Sequence, residues 1–185
     1  MAKVLILEGH RLTGKSTVAR YLRNRVNYAT LINPTGFPED KNHGLFKITN
    51  YYIAWVEFIE KFKGQDVLFI FDRHMFSEMV YSKLYKQYDF APYFDILLKK
   101  LVQVADVEVI FLELTDEDEL KARSKRDKVN FADVAEDLEE LAKQRNGYRE
   151  LGEFVTSMNL PLKITGMSVN GKSSSDIANE IKNNL

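Results

Sequence analysis

Val4-Leu5-Ile6-Leu7-Glu8-Gly9-His10-Arg11-Leu12-Thr13-Gly14-Lys15-Ser16 is the stretch that decides the fold. Val4 to Leu7 is an unbroken apolar run, the pattern of a strand buried on both faces. Gly9 to Ser16 fits G-x-x-x-x-G-K-[ST], and a helical pattern follows from about Ser16 to Arg25. A strand, a glycine-bearing loop and a helix in that order form a phosphate cradle. The glycines let the backbone close around an anion, and the N–H groups at the helix start face it. Lys15 is placed to reach the β- and γ-phosphates of a nucleotide, and Ser16 to hold magnesium through its hydroxyl. The cradle comprises Gly9, His10, Arg11, Leu12, Thr13, Gly14, Lys15, Ser16 and Thr17. The competing explanation is a chance match in a glycine-containing turn.

Outward from this loop, strand and helix patterns alternate. Ala29 to Asn33, Val67 to Phe71, Val107 to Leu114 and Leu162 to Thr165 read as further strands. Helical patterns cover about 44–62, 77–88, 93–104, 117–126, a long stretch 131–158 with weak points at Gly147 and Gly152, and a final helix to Asn183. Thr115 is the expected cap of the 117–126 helix, and Ser173 or Ser174 of the last one. This alternation predicts an α/β three-layer fold: a five-stranded parallel sheet, helices on both faces, and a short lid at about 116–130. The whole chain, 1–185, reads as a single domain.

The chain has 185 residues, 45% of them hydrophobic and 29% charged, with a net charge of −1. No basic excess favours a nucleic-acid or membrane partner. There are no cysteines, which excludes disulfides and thiolate metal sites and fits a reducing, cytoplasmic setting. No targeting segment or stretch of about 20 apolar residues is expected.

Ligands in parallel sheets bind beyond the carboxyl ends of the strands. There the strand Val67–Phe71 runs into Asp72-Arg73-His74. Asp72 is placed to organise magnesium, and Arg73 to bind a phosphate with its planar fork. The alternative is a strand-end acid that caps the next turn beside a solvated arginine. Arg123 and Arg126 share a helix face, where they could cover a transferring phosphoryl group or form a solvated basic face that balances nearby acids.

Together these residues resemble the thymidylate kinase family of nucleoside-monophosphate kinases. The similarity starts at Leu7-Glu8-Gly9 and is clearest at Asp72-Arg73-His74-Met75-Phe76-Ser77-Glu78-Met79-Val80-Tyr81, similar to that family's Asp-Arg-Tyr-x-x-Ser-x-x-Ala-Tyr segment. It continues through Leu112 to Arg126, Tyr148 in the long helix, and Val169-Asn170-Gly171. The resemblance implies ATP and Mg2+ as cofactors and the catalytic set Lys15, Asp72, Arg73, Arg123 and Arg126, with Arg73 bridging donor and acceptor phosphates. It also suggests a homodimer.

Three departures concern the acceptor. Arg11 stands where the family carries a sugar-binding acid, Ile32-Asn33-Pro34-Thr35-Gly36 lacks the family's phosphate-binding arginine, and no arginine occurs between Val26 and Arg73. Candidate acceptor contacts are Asn33, Phe46, Tyr51, Arg73, His74 and Tyr148, although aromatics at helical spacing are more often core. His10 and His74 read as polar loop residues or substrate contacts. A monophosphate is already largely ionised at pH 7 and needs no base. A nucleoside needs one, and Asn33 cannot serve, leaving Glu39 or Asp40 as stand-ins. The expected activity is phosphoryl transfer from ATP to a deoxynucleoside monophosphate, thymidylate-like or a modified pyrimidine. The alternatives are a deoxynucleoside kinase, a regulatory nucleotide switch, and a kinase of modified bases in DNA. The switch reading lacks support, because D-x-x-G and N-K-x-D are missing.

Overall fold

The computed structural model describes residues 2–34, 36–126 and 138–185, without the side chain of Arg126. Its strands are β1 (Lys3–Glu8), β2 (Ala29–Ile32), β3 (Leu68–Asp72), β4 (Asp106–Glu113) and β5 (Leu162–Ser168). Its helices are α1 (Lys15–Arg25), α2 (Lys41–Glu60), α3 (Met75–Tyr85), α4 (Ala91–Val104), α5 (Glu117–Arg126), α6 (Leu138–Ser157) and α7 (Ser174–Lys182). The five strands form one sheet in the order β2-β3-β1-β4-β5, and every neighbouring pair is parallel.

Alternation along the strands divides the core into two layers. Val4, Ile6, Phe69, Phe71, Val107 and Val109 face α2, α3, α4 and α6. Leu5, Leu7, Leu68, Ile70, Ile110 and Leu112 face α1 and α7. Both faces of the central strands are covered, which is why β1 reads as a continuous apolar run. The chain winds to one side of β1 through β2 and β3, and to the other through β4 and β5. The loop after β1 therefore opens at the point where the winding reverses.

Gly9 is fixed by this packing. Its φ is +133°, and a Cβ there would lie 2.2 Å from the Leu112 carbonyl oxygen on β4. Gly147, expected to weaken α6, has a packing reason: a Cβ would meet Val80 Cγ1 of α3 at 2.8 Å.

The sequence-based boundaries shift at several ends. α2 and α3 begin earlier, α4 starts at Ala91, and β5 extends to Ser168. The expected helical segment 131–137 and lid residues 127–130 lie outside the described residues. Thr115 does not cap α5. Asp116 does, accepting from Glu119 N at 2.8 Å, while the Thr115 hydroxyl accepts from Asn170 Nδ2. Ser173 caps α7 through Asp176 N. Among the described residues, no helix is long and apolar enough to cross a membrane.

Candidate active site

The loop between β1 and α1 is held by its own backbone. Thr17 N and Val18 N both donate to the Gly14 carbonyl, and Gly14 itself takes a positive φ of 86°. Leu12 also has a positive φ, 69°, a conformation L-residues seldom adopt without surrounding support. Lys15 is buried and lies back across the loop, donating to the His10 carbonyl at 2.6 Å and to Thr13 Oγ1 at 3.0 Å. Burial holds its ammonium well below the ordinary lysine value, with Arg73 pushing the same way and Asp72 and Glu8 opposing. Lys15 is thus a cation lacking a full counter-charge, and phosphate would supply one.

β3 delivers Asp72 and Arg73 beside this loop, because β1 and β3 are paired in register. Asp72 is buried and accepts from Asn33 Nδ2 at 3.0 Å. Arg73 has a φ of 73° and turns back over the loop. Its Nη1 donates within 3.1 Å to the hydroxyls of Ser77, Tyr81 and Tyr148, and at 3.4 Å to the Gly9 carbonyl. It is therefore not a solvated arginine.

Asp72 does not cap α3 either. That task falls to Glu8, the buried last residue of β1, whose carboxylate accepts from His74 N at 2.7 Å, Ser77 N at 3.3 Å and Ser77 Oγ at 2.6 Å. Burial pushes the Glu8 carboxyl up to about 7, against the pull of Arg73 and these donors. Glu8 thus ties the phosphate-loop strand to the helix that carries the Arg73 partners.

From the opposite side, Arg123 of α5 donates to the Leu12 carbonyl at 2.9 Å while Glu119 grips its Nε and Nη2. Glu119 is held in turn by Gly171 N at 2.9 Å. Arg123 is pinned over the loop rather than spread on a solvated face. Arg11, Lys15, Ser16, Thr17, Arg73, Arg123 and Lys172 line one cavity of about 830 Å³. The cavity is cationic and floored by a helix N-terminus, the arrangement that binds a polyphosphate.

The residues also fit magnesium. Ser16 opens into the cavity and Asp72 ends the neighbouring strand. Among the described residues no cluster of three or more His, Cys, Asp or Glu could cage a metal. One hydroxyl and one carboxylate match an ion that completes its shell with water and substrate phosphates.

The acceptor candidates fare unevenly. Arg73 and Tyr148 meet directly, and Asn33 bonds the Asp72 carboxylate next to Arg73 in the chain. Phe46 does not: it is 72% exposed on α2, in a separate hollow with Asn42, Leu45 and Tyr93. Tyr51 packs edge-on against Phe37, Tyr52 and Trp55, a core-rim position. His74 lies in the turn between β3 and α3, but its ring is not a polar loop side chain open to a substrate. It is fully buried between the rings of Tyr52 and Phe71, with neither ring nitrogen hydrogen-bonded, and burial lowers it to about 3. His10 is also buried, its Nε2 against the backbone of Leu114, and burial with Lys15 nearby lowers it to about 4. The side chain of Arg126 lies outside the described residues.

Sequence reading assigned no role to Glu8, Ser77, Tyr81 or Gln144. Gln144 of α6 is buried, accepts from Arg11 N at 3.3 Å and donates to the Tyr85 hydroxyl at 2.9 Å, linking loop, α3 and α6. An acid between an apolar run and a glycine was the available signal for Glu8. Gln144 gave none.

No protein-family model matches the sequence, and no curated protein aligns with it significantly. Solved structures do match over nearly the whole chain. The YorR protein from Bacillus subtilis, in complex with phosphorylated GDP, is 22% identical with a TM-score of 0.66, covering 97% of this chain and 94% of its own. Thymidylate kinase from Candida albicans is 17% identical with a TM-score of 0.65, covering 98% and 90%. Deoxyadenosine kinase from M. mycoides is 18% identical with a TM-score of 0.61, covering 98% of each chain. With its all-parallel sheet and the phosphate loop after β1, the chain has the fold shared by these thymidylate and deoxynucleoside kinases.

Proposed function

We propose that this protein is a nucleotide kinase that transfers the γ-phosphoryl group of ATP, with Mg2+, to a deoxynucleoside monophosphate of the thymidylate-like or modified-pyrimidine class. The observation that carries this reading is the convergence of Lys15, Ser16, Arg73 and Arg123 on one cationic cavity. Lys15 and the loop N–H groups would hold the donor phosphates. Ser16 and Asp72 would hold the magnesium, which supplies charge neutralisation at the phosphates. Arg73 would bridge donor and acceptor phosphates, and Arg123 and Arg126 would cover the transferring group and exclude water. The protein's task is positioning and charge stabilisation, because a monophosphate acceptor brings its own nucleophile.

A nucleoside acceptor is favoured less, and a specific observation counts against it. Glu39 is ion-paired with Lys47, and Asp40 caps α2 while also accepting from Gln87 N. Both stand-in bases are engaged structurally. A cytoplasmic setting and a homodimer belong to the same reading. For the dimer, exposed Phe46, Tyr93 and Ile96 on α2 and α4 offer an apolar face.

The experiment is to follow labelled γ-phosphate from ATP. Its appearance in a nucleoside diphosphate supports the proposal. Its appearance only in a nucleoside monophosphate, made from an added nucleoside, would replace it with the deoxynucleoside kinase.

A further inference from the structure

Glu8 is a buried carboxylate outside the transfer chemistry, yet it terminates a hydrogen-bond chain that ends on Arg73. The two ends of that chain have no choice of role: an ionised carboxylate only accepts and a guanidinium only donates. The links between them are hydroxyls, which can do either. Ser77 Oγ gives its proton to Glu8 Oε2 at 2.6 Å, because Glu8 Oε1 is already taken by His74 N and Ser77 N. With that proton committed, Ser77 Oγ accepts from the Tyr148 hydroxyl at 2.8 Å, and the Tyr148 oxygen is turned to Arg73 Nη1 at 2.9 Å. Ser77 Oγ also accepts from Nη1, at 3.1 Å. The bonds of Arg73 to described residues all run through Nη1. Its other donors, Nε and Nη2, are left for the phosphate cavity that Arg73 lines.

The geometry points to Glu8 as a positioning residue for phosphoryl transfer: its negative charge, relayed by Ser77 and Tyr148, sets the direction of the bonds that hold Arg73. This rests on the kinase reading, in which Arg73 bridges donor and acceptor phosphates. The charge matters more than the shape. In Glu8→Gln the amide oxygen would stay with the two backbone N–H groups, so the amide nitrogen would fall against Ser77 Oγ and donate to it. Ser77 would then turn its own proton toward Tyr148, and the Tyr148 proton would be left facing the donors of Arg73. A donor would oppose a donor where a donor now meets an acceptor, and in a buried network such a reversal costs more than a missing bond. Arg73 would keep its charge and lose its fixed orientation.

The test reads the guanidinium itself, by nitrogen-15 NMR of the full, ligand-free protein, with the Arg73 signals assigned from Arg73→Lys. Burial raises the Glu8 carboxyl to about 7, so spectra are taken at about pH 8.5, where it is ionised. The wild type should show separate, slowly exchanging Nη hydrogens for Arg73. Glu8→Gln and Ser77→Ala should both average them. Ser77→Ala leaves the backbone bonds to Glu8 intact, so it decides the matter if Glu8→Gln does not fold. In steady-state kinetics Glu8→Gln should lower kcat about tenfold and leave the KM for ATP within about twofold. Because both changes break one relay, the double variant should be no slower than the slower single one. Averaged Arg73 signals in the wild type, resolved signals in either variant, or a double variant as slow as the two losses multiplied would overturn the assignment. Resolved signals that are lost in both variants, in a protein that releases no ADP, would instead uphold Glu8 and count against the transfer reading.

Discussion

Arg73 Nη1 lies 2.9 Å from the Tyr148 hydroxyl, a bond that joins the end of β3 to the middle of α6 across 75 residues of chain. The same hydroxyl meets Ser77 Oγ at 2.8 Å, and Ser77 is fastened to Glu8. The guanidinium is therefore set by three other elements before any ligand arrives, which is the preorganisation that electrostatic catalysis requires.

Removing that hydroxyl separates orientation from charge. Tyr148→Phe should cost about 1 kcal/mol of stability and about tenfold in kcat, with little change in the KM for ATP. Arg73→Lys keeps the charge but loses the fork, and should cost about a hundredfold or more. Steady-state kinetics on both variants checks the order. An Arg73→Lys enzyme as active as Tyr148→Phe would show that charge alone suffices.

Gly9 and Gly152 make a paired test of backbone packing. At Gly9 a Cβ would strike the Leu112 carbonyl, and the φ is positive. Gly9→Ala should destabilise the protein by roughly 3 kcal/mol or more. At Gly152 a Cβ would find the Phe111 ring at 3.7 Å, an ordinary contact, so Gly152→Ala should gain about 0.5–1 kcal/mol from helix propensity. Thermal melts of the two variants should move in opposite directions.

His74 should make the fold acid-sensitive. Its folded value is lowered to about 3 from the ordinary 6.5, so below pH 6.5 the unfolded chain takes up a proton that the folded protein refuses. Stability is therefore lost as pH falls from 6.5 toward 3. Glu8 acts in the other direction: raised from 4.5 to about 7, it keeps a proton in the fold that the unfolded chain releases, so stability falls as pH rises through that window. Comparison with His74→Phe isolates the histidine. Between pH 7 and pH 5 the wild type should lose about 2 kcal/mol relative to the variant in denaturant unfolding. Parallel pH curves would contradict the burial of His74.

The legible parts of the molecule were those where pattern and motif agree locally. β1, the phosphate loop and α1 are carried by contiguous residues, and Asp72 and Arg73 by their position at a strand end. What was hidden depends on distant partners. Gln144 reaches Arg11 across 133 residues, and nothing in its helix neighbourhood marks it. His74 does lie in the turn that follows the strand-end arginine, yet its ring enters the aromatic core against Phe71 after the positive φ of Arg73. Phe46 shares the aromatic spacing of Tyr51 and Trp55, and only the packing of α2 shows that it faces outward.

The central claim is tested most directly by ADP release from Mg-ATP in the presence of deoxynucleoside monophosphates or nucleosides, with wild type and Lys15→Ala compared. The account predicts release that depends on a monophosphate and falls by about 10²–10³ in the variant. Release driven equally by unphosphorylated nucleosides, or undiminished in Lys15→Ala, would contradict it.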